Sequence, residues 1–290
     1  RRYRLQVNPP WNLARISSCN AKNGSPRRYC YDTTAGFGAY VYVIDSGINL
    51  SHPEFSGRAF QGANFVPGSI DDDELDHGTY VAAIIGGKTY GVAKNCTMIS
   101  VKVISKSGRS NMWWLWQGIY WAIRDAKARG ISDRSVINIS AGGPQSVYVN
   151  DAVQAATDAG ITVVVSAGND ADFAMFRSPA SAPSAITVAA SGPDDCRTPC
   201  SNYGPCVDIF APGANIASAW NNKETETRYA SGTSAAAPHV AGLAAYFISS
   251  ENLRGSEAVK ERILGASLGG VIKDVRCSSN RLAHNGNQVF

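Results

Sequence analysis

Histidine is scarce in this chain. Four occur among 290 residues, at positions 52, 77, 239 and 284, so imidazole chemistry must draw on one of them. Charged residues are few as well, at 17% against 44% hydrophobic, which excludes disorder along the whole chain. Neither sign dominates: 27 Lys+Arg face 23 Asp+Glu, a net charge of +4. No basic block forms a stripe, so a nucleic-acid partner is not expected. The only basic cluster, Arg1, Arg2 and Arg4, reads equally as a frayed end or a cleavage remnant. Apolar runs stop short of the ~20 residues of a membrane span. HVAGLAAYFI (239–248) reads as a core helix, and no membrane partner is expected. The chain is expected to be a mature fragment whose targeting segment has been removed or lies outside the sequence. Repeats and low-complexity linkers are absent, so 1–290 is expected to form one domain.

Cysteine is present seven times: Cys19, Cys30, Cys96, Cys196, Cys200, Cys206 and Cys277. The odd count leaves at least one thiol unpaired. Cys196, Cys200 and Cys206 lack CxxC pairs, and no His lies between 78 and 238, which disfavours zinc. Disulfides in an oxidising compartment are the expected reading, and their pairing stays open. Sequons at Asn23, Asn49, Asn95 and Asn138 fit secretion without proving it; Asn138 lies in an apolar strand and is expected to be unmodified.

Residues 1–38 are polar and read as an irregular arm. Strands and helices then alternate. Strands are expected at 39–45, 98–104, 135–140, 161–168, 184–191 and 206–213. Helices are expected at 77–87, 112–130, 149–160 and 231–250. The segment 254–290 resists assignment. Continuous Val/Ile strands alternating with helices predict an α/β fold: a mostly parallel sheet with helices on both faces. Sites in such folds gather at the carboxyl ends of strands, where helices begin. Asp45, His77, Asn169 and Ser234 all fall at such places.

Ser234 in SGTSAAAPHV opens a helix after Gly232. There the helix dipole favours a developing negative charge, although serine is also a common N-cap. His239 lies ~140° around the helix from Ser234 and reads as structural. His52, in the turn SHPEF, reads as a loop histidine, and His284, in the polar tail, as a solvated one. His77 in DHGTYVAAI is the best candidate base.

VYVIDSG (41–47), HGT (77–79), SAGN (166–169) and SGTSAAAPHVAG (231–242) together resemble the four signature blocks of the subtilisin-like serine proteases. The order Asp, His, Ser is that family's order. NPPWNLARISS (8–18), SHPEF (51–55), TYGVAK (89–94), SNYG (201–204) and HVAGLAAY (239–246) resemble its proteinase K branch. The likeness runs from about residue 8 to 250. It implies a three-layer subtilisin-like fold and a secreted serine endopeptidase. In it Ser234 would be the nucleophile, His77 the base, Asp45 its orienting acid and Asn169 the oxyanion-hole amide. A removed pro-segment that once assisted folding, and could remain as inhibitor, is also implied. A monomer is expected.

The resemblance places the substrate strand at Ser140, Ala141, Gly142 and Gly143, and the opposite pocket wall at Ser166, Ala167 and Gly168. Arg177 falls near the floor of the pocket for the residue before the cut. There it would favour acidic side chains. Alternatively it reaches solvent and leaves a broad apolar preference, and a one-residue shift would put Phe176 in its place. Pro183, Ala185 and Asp208 align with a calcium site. The run Asp71–Glu74 reads either as a solvated loop or as a second cation site.

Besides Ala141, where the family usually has Leu, and Arg177, where it has a neutral residue, four positions depart from the family pattern: Tyr80, Ala83, Ala235 and Asp76, the last able to raise the proton affinity of His77 if it turns inward. The cysteines do not fall where that branch has its bridges. An inactive, peptide-binding subtilase fold is the alternative. An esterase using Ser234, Asp274 and His284 lacks the GxSxG elbow, because Ala236 stands at its second glycine.

Overall fold

The structure is a computed structural model that describes residues 2–19, 27–221 and 226–287. The sequon at Asn23 lies outside them. The segment expected to be an irregular arm is ordered: β1 (Tyr3–Val7) is followed by α1 (Trp11–Ile16) and pairs antiparallel with β2 (Arg28–Asp32). Its anchors are apolar residues within a polar composition, for Leu13, Ile16 and Tyr29 are fully buried. Arg15 adds a bidentate pair with Asp195, Nε to Oδ1 at 2.8 Å and Nη2 to Oδ2 at 3.0 Å.

The central sheet begins with β3 (Tyr40–Asp45), β4 (Ala59–Asn64) and, after α2 (His77–Gly86), β5 (Thr97–Lys102). Past α3 (Met112–Ala128) come β6 (Ser135–Ile139) and the short β7 (Gly143–Pro144). Past α4 (Val147–Asp158) come β8 (Thr162–Ser166), the short β9 (Arg177–Ser178), β10 (Ile186–Ser191) and β11 (Ile209–Pro212). A hairpin, β12 (Ile216–Ala219) and β13 (Thr227–Ala230), precedes the long α5 (Thr233–Ser250). The chain closes with α6 (Ser256–Ala266), β14 (Leu268–Gly269) and β15 (Arg281–Leu282).

Among the described residues nine strands form the main sheet, in the order β14-β15-β11-β10-β8-β6-β3-β5-β4. All its pairings are parallel except β14 with β15. The strands carry Val and Ile on both faces because both faces are covered. α2 and α5 pack on one side with Val41, Val43, Val136 and Val164. α3 and α4 pack on the other with Tyr42, Ile44, Ile137 and Val163. Each such side chain withdrawn from water contributes ~1.5–3 kcal/mol. Among the described residues no helix is long and apolar enough to cross a membrane.

Three expectations need correction. The tail after residue 253 is built into the fold: Val259 and Ile263 of α6 are fully buried, and β15 extends the sheet beside β11. His284 is buried, not solvated, at 2% exposure, and His52, a loop histidine as expected, is buried too at 3%. Each accepts a backbone N–H at Nδ1, from Gly286 and Glu54 respectively, so a polar neighbourhood in sequence became a tight turn inside the protein. All seven cysteines carry free thiols, so the expected bridges are not formed. Cys96 shows why for one of them: it is fully buried, packed as a core residue close to Gly86.

Candidate active site

Asp45 ends β3 and is fully buried. His77 opens α2, with a side chain 30% exposed. Its Nδ1 lies 2.7 Å from Asp45 Oδ1, which also accepts the Ser46 N–H at 2.7 Å. This closeness requires glycine at 78, since a Cβ there would stand 2.0 Å from the Gly47 carbonyl oxygen. An imidazole held at Nδ1 by a carboxylate keeps Nε2 free to take a proton.

Asp73 braces both partners. Its Oδ1 accepts from Ser46 Oγ at 2.7 Å and from the Leu75 and Asp76 amides; its Oδ2 accepts from Thr79 N–H and Oγ–H. Ser46 Oγ in turn accepts the Gly78 N–H at 2.9 Å. Withdrawal from water opposes charging His77, but the contact with Asp45 and the charge of Asp73 outweigh it, and its pKa is raised. Asp76 does not supply that charge. It interacts with Asn221 and Trp220, and burial lifts its own pKa.

Within the acidic run 71–74, Asp71 and Asp72 are exposed, as expected of a solvated loop, while Asp73 is buried. Lys102, fully buried, donates to the Asp72 carbonyl at 2.6 Å and to Glu74 Oε2 at 2.9 Å. Among the described residues no cluster of three or more His, Cys, Asp or Glu is placed to hold a metal.

Ser234 is the second residue of α5. Gly232, at φ 141°, takes the N-cap position, so the Ser234 hydroxyl is not consumed in capping. Pro238 sits inside the helix and has no N–H for the Ser234 carbonyl. Ser140 Oγ fills that place at 3.0 Å. Asn138, fully buried, donates to Ser140 Oγ at 3.1 Å and is inaccessible to a glycan. Asn169 Oδ1 accepts from the Thr233 N–H at 2.8 Å and Thr233 Oγ1 at 3.0 Å, which fixes the side chain that also lines the pocket.

A cavity of about 290 Å³ borders these groups. Ser140, Ala141, Gly142 and Gly143 form one wall, Ser166, Ala167 and Gly168 another, and Arg177 reaches into it. Phe176 turns away and meets Phe173 edge-on, 6.4 Å between ring centres. Asp170, which the sequence reading passed over, also lines the cavity. Arg177 Nε lies 3.0 Å from Asp170 Oδ2, an ion pair without hydrogen-bond alignment. β7 pairs antiparallel with β9 and fixes this corner.

Tyr80, the most conspicuous departure from the family pattern, is buried and donates to the Ile216 carbonyl at 2.9 Å. It supports the β12–β13 hairpin. Ala83 and Ala235 are buried where α2 and α5 pack. His239 is structural as expected, bonded to Asn12 at 2.7 Å and to the Ala235 carbonyl at 2.9 Å.

Of the residues aligned with a calcium site, Pro183, Ala185 and Asp208, the last two already face a side-chain ammonium. The Ala185 carbonyl accepts from Lys260 Nζ at 2.7 Å, and Asp208 Oδ1 lies 3.3 Å from the same ammonium.

Residues 36–285 match the Subtilase family. The chain belongs to that family. It is 47% identical over 97% of its length to alkaline protease 1 of Aspergillus clavatus, covering 68% of that protein. It is 44% identical over 98% of its length to the subtilisin-like protease CPC735_013710 of Coccidioides posadasii, covering 70% of it. Among solved structures, a cold adapted subtilisin-like serine proteinase superposes with a TM-score of 0.88 at 38% identity, over 96% of this chain and 98% of that one. The subtilase fold expected from the sequence is the fold observed, and the chain is a serine endopeptidase acting on proteins and peptides.

Proposed function

We propose that this subtilase cleaves peptide bonds through an acyl-enzyme on Ser234. Ser234 Oγ attacks the scissile carbonyl while His77 Nε2 takes its proton. Asp45 holds the imidazole in the right tautomer and offsets its charge. The Asn169 side-chain amide and the Ser234 N–H receive the oxyanion. His77 then returns the proton to the leaving amine, and water releases the acyl group by the same route. The observation that carries this is the 2.7 Å contact of His77 Nδ1 with Asp45 Oδ1 at the strand end.

For the residue before the cut, a broad uncharged preference is favoured. Arg177 stands in the pocket, but Asp170 offsets its charge, so an acidic side chain must compete with a carboxylate already there. The segment Ser140–Gly143, running from β6 to β7 along the cavity, suits a substrate added as a further strand. A cleaved pro-segment would inhibit by the same pairing. The enzyme is read as a monomer and as secreted, the latter supported by the exposed sequon at Asn95.

The test is digestion of a diverse peptide library, read by mass spectrometry with and without a fluorophosphonate. Blocker-sensitive cuts after apolar or aromatic residues are expected. Blocker-sensitive cuts confined to Asp and Glu would overturn the pocket assignment. Folded protein that cuts nothing would favour a peptide-binding role instead.

A further inference from the structure

Lys260 lies on α6, and its ammonium reaches the entrance ends of two adjacent parallel strands. Ala185 immediately precedes β10 and Asp208 immediately precedes β11. Lys260 Nζ donates to the Ala185 carbonyl at 2.7 Å and pairs with Asp208 Oδ1 at 3.3 Å. The other carboxylate oxygen of Asp208 accepts the Thr187 N–H at 2.8 Å. Two of the oxygens that a calcium ion would take here, the Ala185 carbonyl and Asp208 Oδ1, therefore already face a positive charge. Calcium asks for six to eight oxygens at 2.3–2.6 Å. This corner offers the Ala185 carbonyl and the Asp208 carboxylate, which water could complete, but a resident cation stands between them and repels a second one.

The same solution occurs elsewhere in the molecule. Lys102 fills the acidic turn at Asp72 and Glu74 in the same way, through one carbonyl and one carboxylate. We propose that Lys260 is a built-in replacement for a divalent cation, tying α6 to the starts of β10 and β11 at any calcium concentration. Tethering is the physical difference. A side-chain ammonium cannot be diluted or chelated away, whereas the stabilisation from a bound ion grows with the logarithm of its free concentration and vanishes well below its Kd. The inference is independent of the catalytic proposal, and its readout needs no turnover.

The test uses the full chain carrying Ser234→Ala, which prevents self-digestion. Thermal unfolding and titration with calcium chloride alone are compared for this parent and for Asp208→Asn, Lys260→Met and the double variant. The parent and Asp208→Asn are expected to respond equally to calcium against chelator, so that any response arises elsewhere. Lys260→Met should melt several degrees lower in chelator and recover part of that loss in millimolar calcium. The double variant should not recover. A parent response that Asp208→Asn removes overturns the proposal, as does a Lys260→Met chain indifferent to calcium. Should Lys260→Met fail to fold, the comparison of parent with Asp208→Asn decides alone.

Discussion

Ser140 Oγ donates to the Ser234 carbonyl at 3.0 Å because Pro238, four residues further on, has no N–H to give. One bond thus ties the residue proposed as nucleophile to the wall of the pocket. Ser140→Ala leaves that carbonyl short of a donor, at a cost of about 1–3 kcal/mol. Denaturant unfolding should show the loss. Steady-state kinetics should show kcat falling more than KM rises, because Ser234 loses its register against bound substrate.

Asp45→Asn should keep the fold and lower kcat by roughly 10⁴-fold, since an amide presents the wrong partner to Nδ1. Single-turnover kinetics on a peptide ester check this. A loss under tenfold would mean that Asp45 does not orient His77.

The pH profile follows from the raised pKa of His77. The base must be neutral to act, so the acidic limb of kcat/KM should fall at a pH above the ordinary histidine value of ~6.5. Asp73→Asn removes one of the charges that raise it, so the limb should move to lower pH. The linkage to stability has the opposite sense. The pair of charged His77 with Asp45 is fully present below ~6.5 and is lost as pH rises through the higher folded value.

His239 and His284 act the other way. Burial pushes both down to about 4. Unfolded histidines charge below ~6.5, while these stay neutral in the folded chain. Stability should therefore fall between about pH 6.5 and 4, by a few kcal/mol in total. Urea midpoints across that range test it, and His284→Gln should flatten the slope. An unchanged slope in that variant would argue against a neutral, buried His284.

Asp170 sets the charge of the pocket. Asp170→Asn frees Arg177, and charge-assisted bonds of ~1.5–3 kcal/mol correspond to roughly ten- to a hundredfold better cleavage after Asp or Glu. Competing peptides that differ only at that residue measure the ratio. No shift would place Arg177 outside the substrate's reach.

Alternating Val/Ile strands and small-residue helices made the sheet and its helical cover readable in the chain. The eight residues assigned to the pocket from family blocks line one cavity. What stayed hidden depends on long-range contact. Asp73 looked like one acid among four until Ser46 and Thr79 closed on it. Lys260 lies 52 residues after Asp208 in the chain, with nothing local to link them. The polar arm concealed Leu13, Ile16 and Tyr29, whose burial composition alone does not reveal. A compartment argument from seven cysteines predicted bridges, while burial made Cys96 an apolar residue instead.

The most direct test of the account is reaction of the folded protein with a fluorophosphonate, followed by peptide mapping. One label per chain on Ser234, lost in His77→Ala and accompanied by loss of peptide cleavage, is the predicted result. Full peptide cleavage by folded Ser234→Ala, or a label on another residue that stops cleavage, would contradict it.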